Sequence, residues 1–594
     1  MAGTISYFNL TGGLNTIQGL GTINQTNKRT ESPDMKNVEY YKLGGLITMN
    51  GNTQFGDTFD SPISLGYEYI YGNNKYMIVI TTNSEVFIYD KVSGSFKLIF
   101  KFENKNTRHS ICSFNNGIIM SNGIDDLVFY QYGRKDLITT EASTTGSNNK
   151  VTGTNTKFLT ELSVGDYIIL GNDDNTFDNK YRIVSIESDT ELSLDRNYPT
   201  AQTSVALYLS DLSACNAVFK TQGESPVETD IRGLALNSYN GRIFVGGTDG
   251  ILYYSEVGLI HGWEQQYGAG AIPAFYDDNS DFTALGLFDK YLIIFKRERC
   301  YLLDGNEVDD TNWTVTPYSL YTCDSQQSWI DADSSLLVYS RNAGGIYPVL
   351  KRTIYNPIFQ GSELSMKIRD SFQFINEARF DYIFPVYHPE KKYVMFYVPL
   401  LTGKGSNTAF IYDVTSKTWL KREVSQNVTI AFRFDNEIYI GTTDGKILKE
   451  FSGLTFDGSP IEFYWKSPSF TFGQGTNFLS AREFRIKMSE EYTNNFRVRN
   501  SRDGKTTYTE RKINSNENAF IGLVWDVDEN TESITDTVWD EDSWVVSSYI
   551  TKRFPLMNQI FQTMSVEFYG NGLNEAMCIY GFEIDGVQLE EVPW

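Results

Sequence analysis

The stretch Asn240-Gly241-Arg242-Ile243-Phe244-Val245-Gly246-Gly247-Thr248-Asp249-Gly250-Ile251-Leu252-Tyr253-Tyr254 decides the fold. Two short runs of β-branched and aromatic residues are each preceded by a turn of Asn, Asp and Gly. Those residues accept the positive φ that hairpin turns often require. The turns lie about nine residues apart, so the stretch reads as two paired strands.

The same unit recurs along the chain. Asp435-Asn436 opens Glu437-Ile438-Tyr439-Ile440, and Thr443-Asp444-Gly445 turns into Lys446-Ile447-Leu448. Asn73-Asn74 and Thr82-Asn83-Ser84 bracket Tyr76–Ile80, Asn115-Asn116-Gly117 leads to Asp125-Asp126, and Asp289-Lys290 leads to Arg297-Glu298. Weaker copies begin at Asp333-Ser334 and Glu390-Lys391, turning at Asn342-Ala343-Gly344 and through Gly403-Lys404-Gly405-Ser406. Successive first turns are 42 to 57 residues apart, except for one step of 124. A period of about 40–50 residues is that of a β-propeller blade. Seven hairpins imply an all-β propeller of seven blades, with six as the count if one hairpin belongs elsewhere. Ser95–Phe100, Trp313-Thr314-Val315 and Thr418-Trp419-Leu420 fit as outer strands.

The long step holds an insertion over 138–211. It opens on the polar linker Thr139–Ser147, and its short strands, such as Val164–Leu170 and Tyr181–Ile186, imply a small independent β-barrel. Leu364, Ile368, Phe372 and Ile375 recur at helical spacing and predict one packing helix. After about 455 the period stops, and longer alternating strands predict a C-terminal β-sandwich. The expected organisation is an N-terminal arm over 1–39, propeller over 40–137 and 212–455, the barrel over 138–211 and the sandwich over 456–594. The arm is expected to reach the last blade or a neighbouring copy.

The composition narrows the function. The 594 residues carry 51 Lys and Arg against 74 Asp and Glu, a formal net charge of −23. Such a chain has no broad attraction for nucleic acid or an anionic membrane. Aromatics at 14% exclude a disordered chain. Five scattered Cys form neither a disulfide framework nor a zinc site. The start lacks the basic and apolar regions of a secretory signal, and no apolar run is long enough to span a membrane as a helix. His109, His261 and His388 stand in different blades without an acidic or Cys motif beside them.

No zinc-protease, nucleophile-elbow or phosphate-loop motif is present, and Gly403-Lys404-Gly405-Ser406 reads as a hairpin tip. The chain is therefore expected to have no enzymatic activity, no catalytic residues, no cofactor and no metal. Asp526, Asp528 and Asn530 have the alternate spacing of a calcium loop, but Thr531 and Thr537 stand where Gly and Glu are needed. The stretch 525–544 therefore reads as a solvated acidic loop with aromatic anchors. The rival reading is a propeller that binds glycans or hydrolyses them with carboxylates gathered at the central channel.

The opening residues add a further indication. Phe8-Asn9-Leu10-Thr11-Gly12-Gly13-Leu14-Asn15 is followed by Glu31-Ser32-Pro33-Asp34-Met35-Lys36-Asn37-Val38-Glu39, then by Leu43–Gly51. This order resembles the opening of the tail nozzle, tubular tail or tail hub proteins of short-tailed, podovirus-like bacteriophages, the crAss-like phages among them. The chain departs from the family at Met49-Asn50, where members often carry a basic residue before the glycine. The insert and the ending Phe463–Pro468 through Gly581–Ile584 are also similar.

The resemblance implies a structural virion protein, assembled in the host cytoplasm, that forms a ring or tube segment for genome ejection below the portal and adaptor. It implies a homohexamer that touches adaptor or other tail ring proteins and tail fibre proteins, with DNA passing transiently and without sequence specificity. An acidic or neutral lining would let that DNA slide, and Asp526, Asp528, Glu529, Asp540, Glu541 and Asp542 are the candidates for it.

Overall fold

In the computed structural model, Asn115, Asn116, Asn240, Gly241, Asp435 and Asn436 all have positive φ. These are the tight turns expected from the sequence, and each joins the first two strands of a four-stranded antiparallel sheet. The structure describes residues 2–16, 31–171, 173, 175–223, 225–273, 275, 278–305, 313–332, 334–351, 361–401, 405–471, 478–489, 492–503, 508–514, 520–521, 549–573 and 575–589.

Seven small sheets follow one another and make a seven-bladed propeller. Blade one runs through Ile63–Tyr71, Asn74–Thr81, Glu85–Asp90 and Ser95–Lys101. Blade two holds Ser110–Phe114, Gly117–Ser121 and Val128–Tyr130, and blade three holds Ala235–Tyr239, Arg242–Gly246, Leu252–Tyr254 and Gly270–Ile272. Blade four spans Phe282–Ser319, and blade five pairs Trp329–Ala332, Ser335–Ser340 and Gly345–Lys351. Blade six spans Phe384–Glu423, and blade seven holds Val428–Phe434, Glu437–Thr442 and Ile447–Glu450.

The ring closes by an exchange of strands. Asn52–Gln54, from ahead of blade one, pairs with Ile447–Glu450 as the outer strand of blade seven. Beside it Gly66 of blade one lies so close to Phe432 of blade seven that a β-carbon there would sit 2.2 Å from the ring. Behind this strand lies a buried ion pair. Arg422 donates from Nε to Glu450 at 2.5 Å and from its other nitrogens to the carbonyls of Asn50 and Gly51. Both side chains are fully buried, and the charges are compensated by each other, by those carbonyls, by the Asn52 amide donating to Glu450 at 3.2 Å and by the rings of Phe451 and Phe456 against Arg422.

The insertion is a closed six-stranded barrel, but it is not independent. Its last strand, Ala201–Ala214, pairs with Asp136–Thr145 and Asp166–Leu170 to close the barrel. The end of that same strand, Leu212–Ala214, pairs with Val128–Tyr130 as the outer strand of blade two. The stretch expected as a polar linker is a barrel strand. Thr140, Glu141 and Thr145 of this strand are exposed on the barrel wall, where polar residues are suited, while Ala142 and Thr144 are buried.

The N-terminal arm also departs from expectation. Ala2–Phe8 pairs with Cys578–Leu589, Asp34–Lys36 with Phe463–Lys466, and Gly45–Thr48 with Cys578-Ile579. Among the described residues these three segments are therefore strands of the C-terminal part, and it is Asn52–Gln54 that pairs with the last blade. The reason is apolar burial: Tyr7 stacks on Phe582 at 5.3 Å and meets Trp465 and Phe470 in the sandwich core. The expected helix is a 3-10 helix, Ser365–Phe374. The indole of Trp419 takes the carbonyl of Leu364, which an α-helix would use for its own first turn.

Candidate functional site

The six acidic residues singled out from the sequence, Asp526, Asp528, Glu529, Asp540, Glu541 and Asp542, lie outside the described residues, as do Gly403 and Lys404 of the hairpin tip. The structure does place the central axis of the propeller, where a conduit or a carboxylate pair would be sought.

Connections entering blades that are not neighbours in the ring meet one another. Arg108, ahead of blade two, forms an ion pair with Asp381, ahead of blade six. Its guanidinium also lies 5.6 Å from the ring centre of Tyr382. The connection ahead of blade five crosses toward blades two, three and four. Gln327 donates to the carbonyl of His109, and Gln326 accepts from the backbone N–H groups of Leu236 and Leu285 while donating to the Leu285 carbonyl. Residues from three blade entrances thus meet strands of blades three and four in one hydrogen-bonded layer.

The charges in this layer are paired. Burial raises the Asp324 carboxyl above its usual range, against the opposing pull of Arg341, Arg297 and Arg108. Arg341 lies 3.5 Å from Asp324. His109 hydrogen-bonds Ser64 and Ser84 through its two ring nitrogens. Burial pushes its pKa down to about 3, so the ring is neutral. The layer can hold blades together, and it presents carboxylates that are held by arginines. Arg108 and Asp381 are 273 residues apart and carry no local motif, so no signal in the sequence could have joined them.

A second set of charges locks the barrel to the propeller. Asp126 of blade two accepts from Arg182 of the barrel at 2.6 Å and from Arg232, ahead of blade three, at 2.7 Å. Burial alone would raise the Asp126 carboxyl, but the two arginines hold it below the usual range. Asp166 of the barrel accepts from Ser213 at 2.7 Å, and His261 of blade three lies 3.2 Å away. His261 thereby reaches a carboxylate that its own neighbourhood in sequence did not contain. His388 is buried, and that burial lowers its pKa. Among the described residues no group of three or more His, Cys, Asp or Glu is arranged to hold a metal. All five Cys are buried free thiols, and no helix of the described residues is long and apolar enough to cross a membrane.

The residues that carry the family resemblance meet at a third place, the junction of arm, blade six and sandwich. Asn37 is buried with φ of 54°. Its side-chain amide donates to the carbonyls of Glu423, at 2.9 Å, and Glu462, at 2.8 Å, and its oxygen accepts from the Glu423 N–H at 2.8 Å. Ser32 donates to Lys466, and Leu14 donates through its backbone to Trp419. Gly13, at φ of 79°, sits where a β-carbon would strike Thr418 at 2.7 Å. Met35 is fully buried beneath them.

No family model matches the chain, and no curated protein matches it. Among solved structures it is similar to BamB from Moraxella catarrhalis, at 10% identity and a TM-score of 0.33, covering 70% of this chain and 93% of that one. It is similar to YCF48 bound to D1 peptide, at 10% identity and a TM-score of 0.36, covering 71% and 99%. A third is the computationally designed Ika8 protein, at 10% identity and a TM-score of 0.33, covering 68% and 100%. The fold assignment stands on the strand pairing described above.

Proposed function

We propose that this protein is a structural component of a short phage tail, several copies of which form a ring or tube segment through which the genome leaves. The observation that carries the reading is the place of Asn37 and its neighbours. The short motifs that resemble tail nozzle proteins are the residues that join arm, blade six and sandwich, so the resemblance falls on the residues that define the architecture. On this reading the work of the chain is to be a rigid wall unit.

The contacts that cross the ring between blade entrances support a conduit that runs outside the propeller. DNA would pass between copies, along a surface built by the ring, and not through a propeller. A net charge of −23 suits that role, because each phosphate neutralised by a cation adds affinity through counterion release and slows passage. The ring is taken to be sixfold, stacked on an adaptor ring, with tail fibre proteins as outer partners. The reading includes no catalysis.

The test is to image virions labelled with antibody against this chain, together with negative-stain images of the purified protein. Density on the tail axis below the portal is expected. Density off the axis, as a fibre, overturns the reading, as does tight, salt-sensitive DNA binding by the assembled ring.

A further inference from the structure

Between blades three and four lies an open cleft of about 880 Å³, within the range of small-ligand sites. We infer that this cleft binds a neutral oligosaccharide, with Trp313 as the stacking platform and Asp249 and Asp278 as fixed hydrogen-bond acceptors. The inference stands apart from the tail reading and does not depend on it.

The chemistry of a sugar ring is two-sided. Its C–H face packs on aromatic rings, and its hydroxyl edge donates to carboxylates and amides. The cleft offers both. Trp313 lines it and is half-buried, with Tyr254 at 5.1 Å and Phe244 at 5.9 Å supporting the indole. Each acceptor is held in place by a tyrosine. Asp249 accepts from the Tyr253 hydroxyl at 2.6 Å and the Ile251 N–H at 3.1 Å. Asp278 accepts from the Tyr301 hydroxyl at 2.9 Å and the Ser280 N–H at 2.9 Å. Rigid acceptors cost little ordering when a ligand arrives. The exposed side chain of Asn279 adds a donor at the same rim.

The charge of the cleft selects the class of sugar. Asp249, Asp278 and Asp281 line the cleft with one cation, Lys296, while Arg297 pairs with Asp281 at 3.3 Å and the buried Arg242 lies 5.6 Å from the Trp313 ring. The Lys296 ammonium is buried, donates to the Asp278 carbonyl at 2.5 Å and lies over the rings of Phe275 and Phe282. The lining is therefore net negative, which disfavours acidic saccharides and nucleotides. The volume admits more than one pyranose ring, which favours an oligosaccharide over a monosaccharide.

The experiment is calorimetric titration of the full chain with maltohexaose, cellohexaose and mannohexaose, and with an oligoguluronate as the acidic counterpart. At least one neutral hexaose is expected to bind and the oligoguluronate not to. Trp313→Ala should weaken binding about tenfold, since a lost aromatic contact is worth up to ~1.5 kcal/mol, and Asp249→Asn should weaken it as well. Should Trp313→Ala lower the melting temperature through lost packing, Trp313→Phe, which keeps the stacking, should retain binding while Asp249→Asn still weakens it. Absence of binding by all three neutral hexaoses overturns the inference. Binding of the acidic oligosaccharide alone, or wild-type affinity in both Trp313→Ala and Asp249→Asn, also overturns it.

Discussion

The side chain of Asn37 pairs with the backbone of Glu423 in both directions, donating to its carbonyl at 2.9 Å and accepting from its N–H at 2.8 Å. A side-chain amide here does what a neighbouring strand would do, extending the outer strand of blade six into the arm. With its other amide hydrogen it holds Glu462, where the sandwich begins. One residue therefore ties the three parts of the chain together.

Replacing it should be costly. Asn37→Ala removes three buried hydrogen bonds, each worth about 1 kcal/mol, and puts alanine at a φ that asparagine tolerates better. A loss of roughly 3 kcal/mol is expected in chemical denaturation. Asn37→Asp keeps the tolerance for positive φ but places a carboxylate against two carbonyls, and should be at least as damaging.

The pair behind the closing strand makes a second test. Arg422→Met leaves Glu450 buried without its partner, and about 3–5 kcal/mol of stability should be lost. Replacing both residues with apolar ones of similar volume should recover most of that loss. Denaturant titration of the two single variants and the double variant measures the difference.

A third prediction concerns pH. His109 has a folded pKa of about 3, below its ordinary 6.5, because burial disfavours the charged ring. The unfolded chain binds the proton first as pH falls, so the contribution of His109 is fully present above pH 6.5 and is lost progressively toward pH 3. In His109→Gln that part of the acid dependence should disappear, leaving a shallower decline in stability between those pH values. Melting temperatures measured across the range, compared between the two proteins, check it.

The shared strand Ala201–Ala214 gives a fourth. Deleting 138–211 keeps Leu212–Ala214, so blade two retains its outer strand and the protein should still fold. Extending the deletion through Ala214 strips the edge of blade two and uncovers the apolar residues beneath, including Tyr130 and Ile118. Limited proteolysis should cut the second variant in blade two and spare the first.

The last concerns the acidic residues of the C-terminal part. Neutralising Asp526, Asp528, Glu529, Asp540, Glu541 and Asp542 as Asn or Gln should raise the affinity of the assembled ring for duplex DNA at low salt if they face the conduit. The salt dependence should stay shallow, since neutralisation adds no cation to displace counterions. Unchanged affinity would remove these residues from the lining.

The blades were legible because each hairpin is local. A pair such as Asn240-Gly241 announces its own turn, and the recurrence of that turn counts the sheets. What escaped the sequence is long-range. The arm looked like an extension because its strands, such as Ala2–Phe8, are short and their partners lie at the other end of the chain. The barrel looked detached because Thr139–Ser147 is polar, although one face of a barrel wall in water needs no apolar residues. The axial layer was hidden for the same reason as the arm: Arg108, Gln327 and Asp381 are ordinary polar loop residues until the ring closes and brings them together.

Ile5 pairs with Ile584 in the sandwich, and this register has a consequence in time. Ala2–Phe8 is translated about 570 residues ahead of its partner strand. At roughly 5–20 residues per second, that is a wait of about half a minute to two minutes. The propeller blades can form during synthesis, blades one and three to six from neighbouring strands and blades two and seven once their distant outer strands are in place, but the sandwich cannot. Any surface that needs both ends of the chain therefore comes into being only after translation has passed the last strand. A ring built on such a surface recruits chains whose sandwich has closed and leaves shorter nascent ones out.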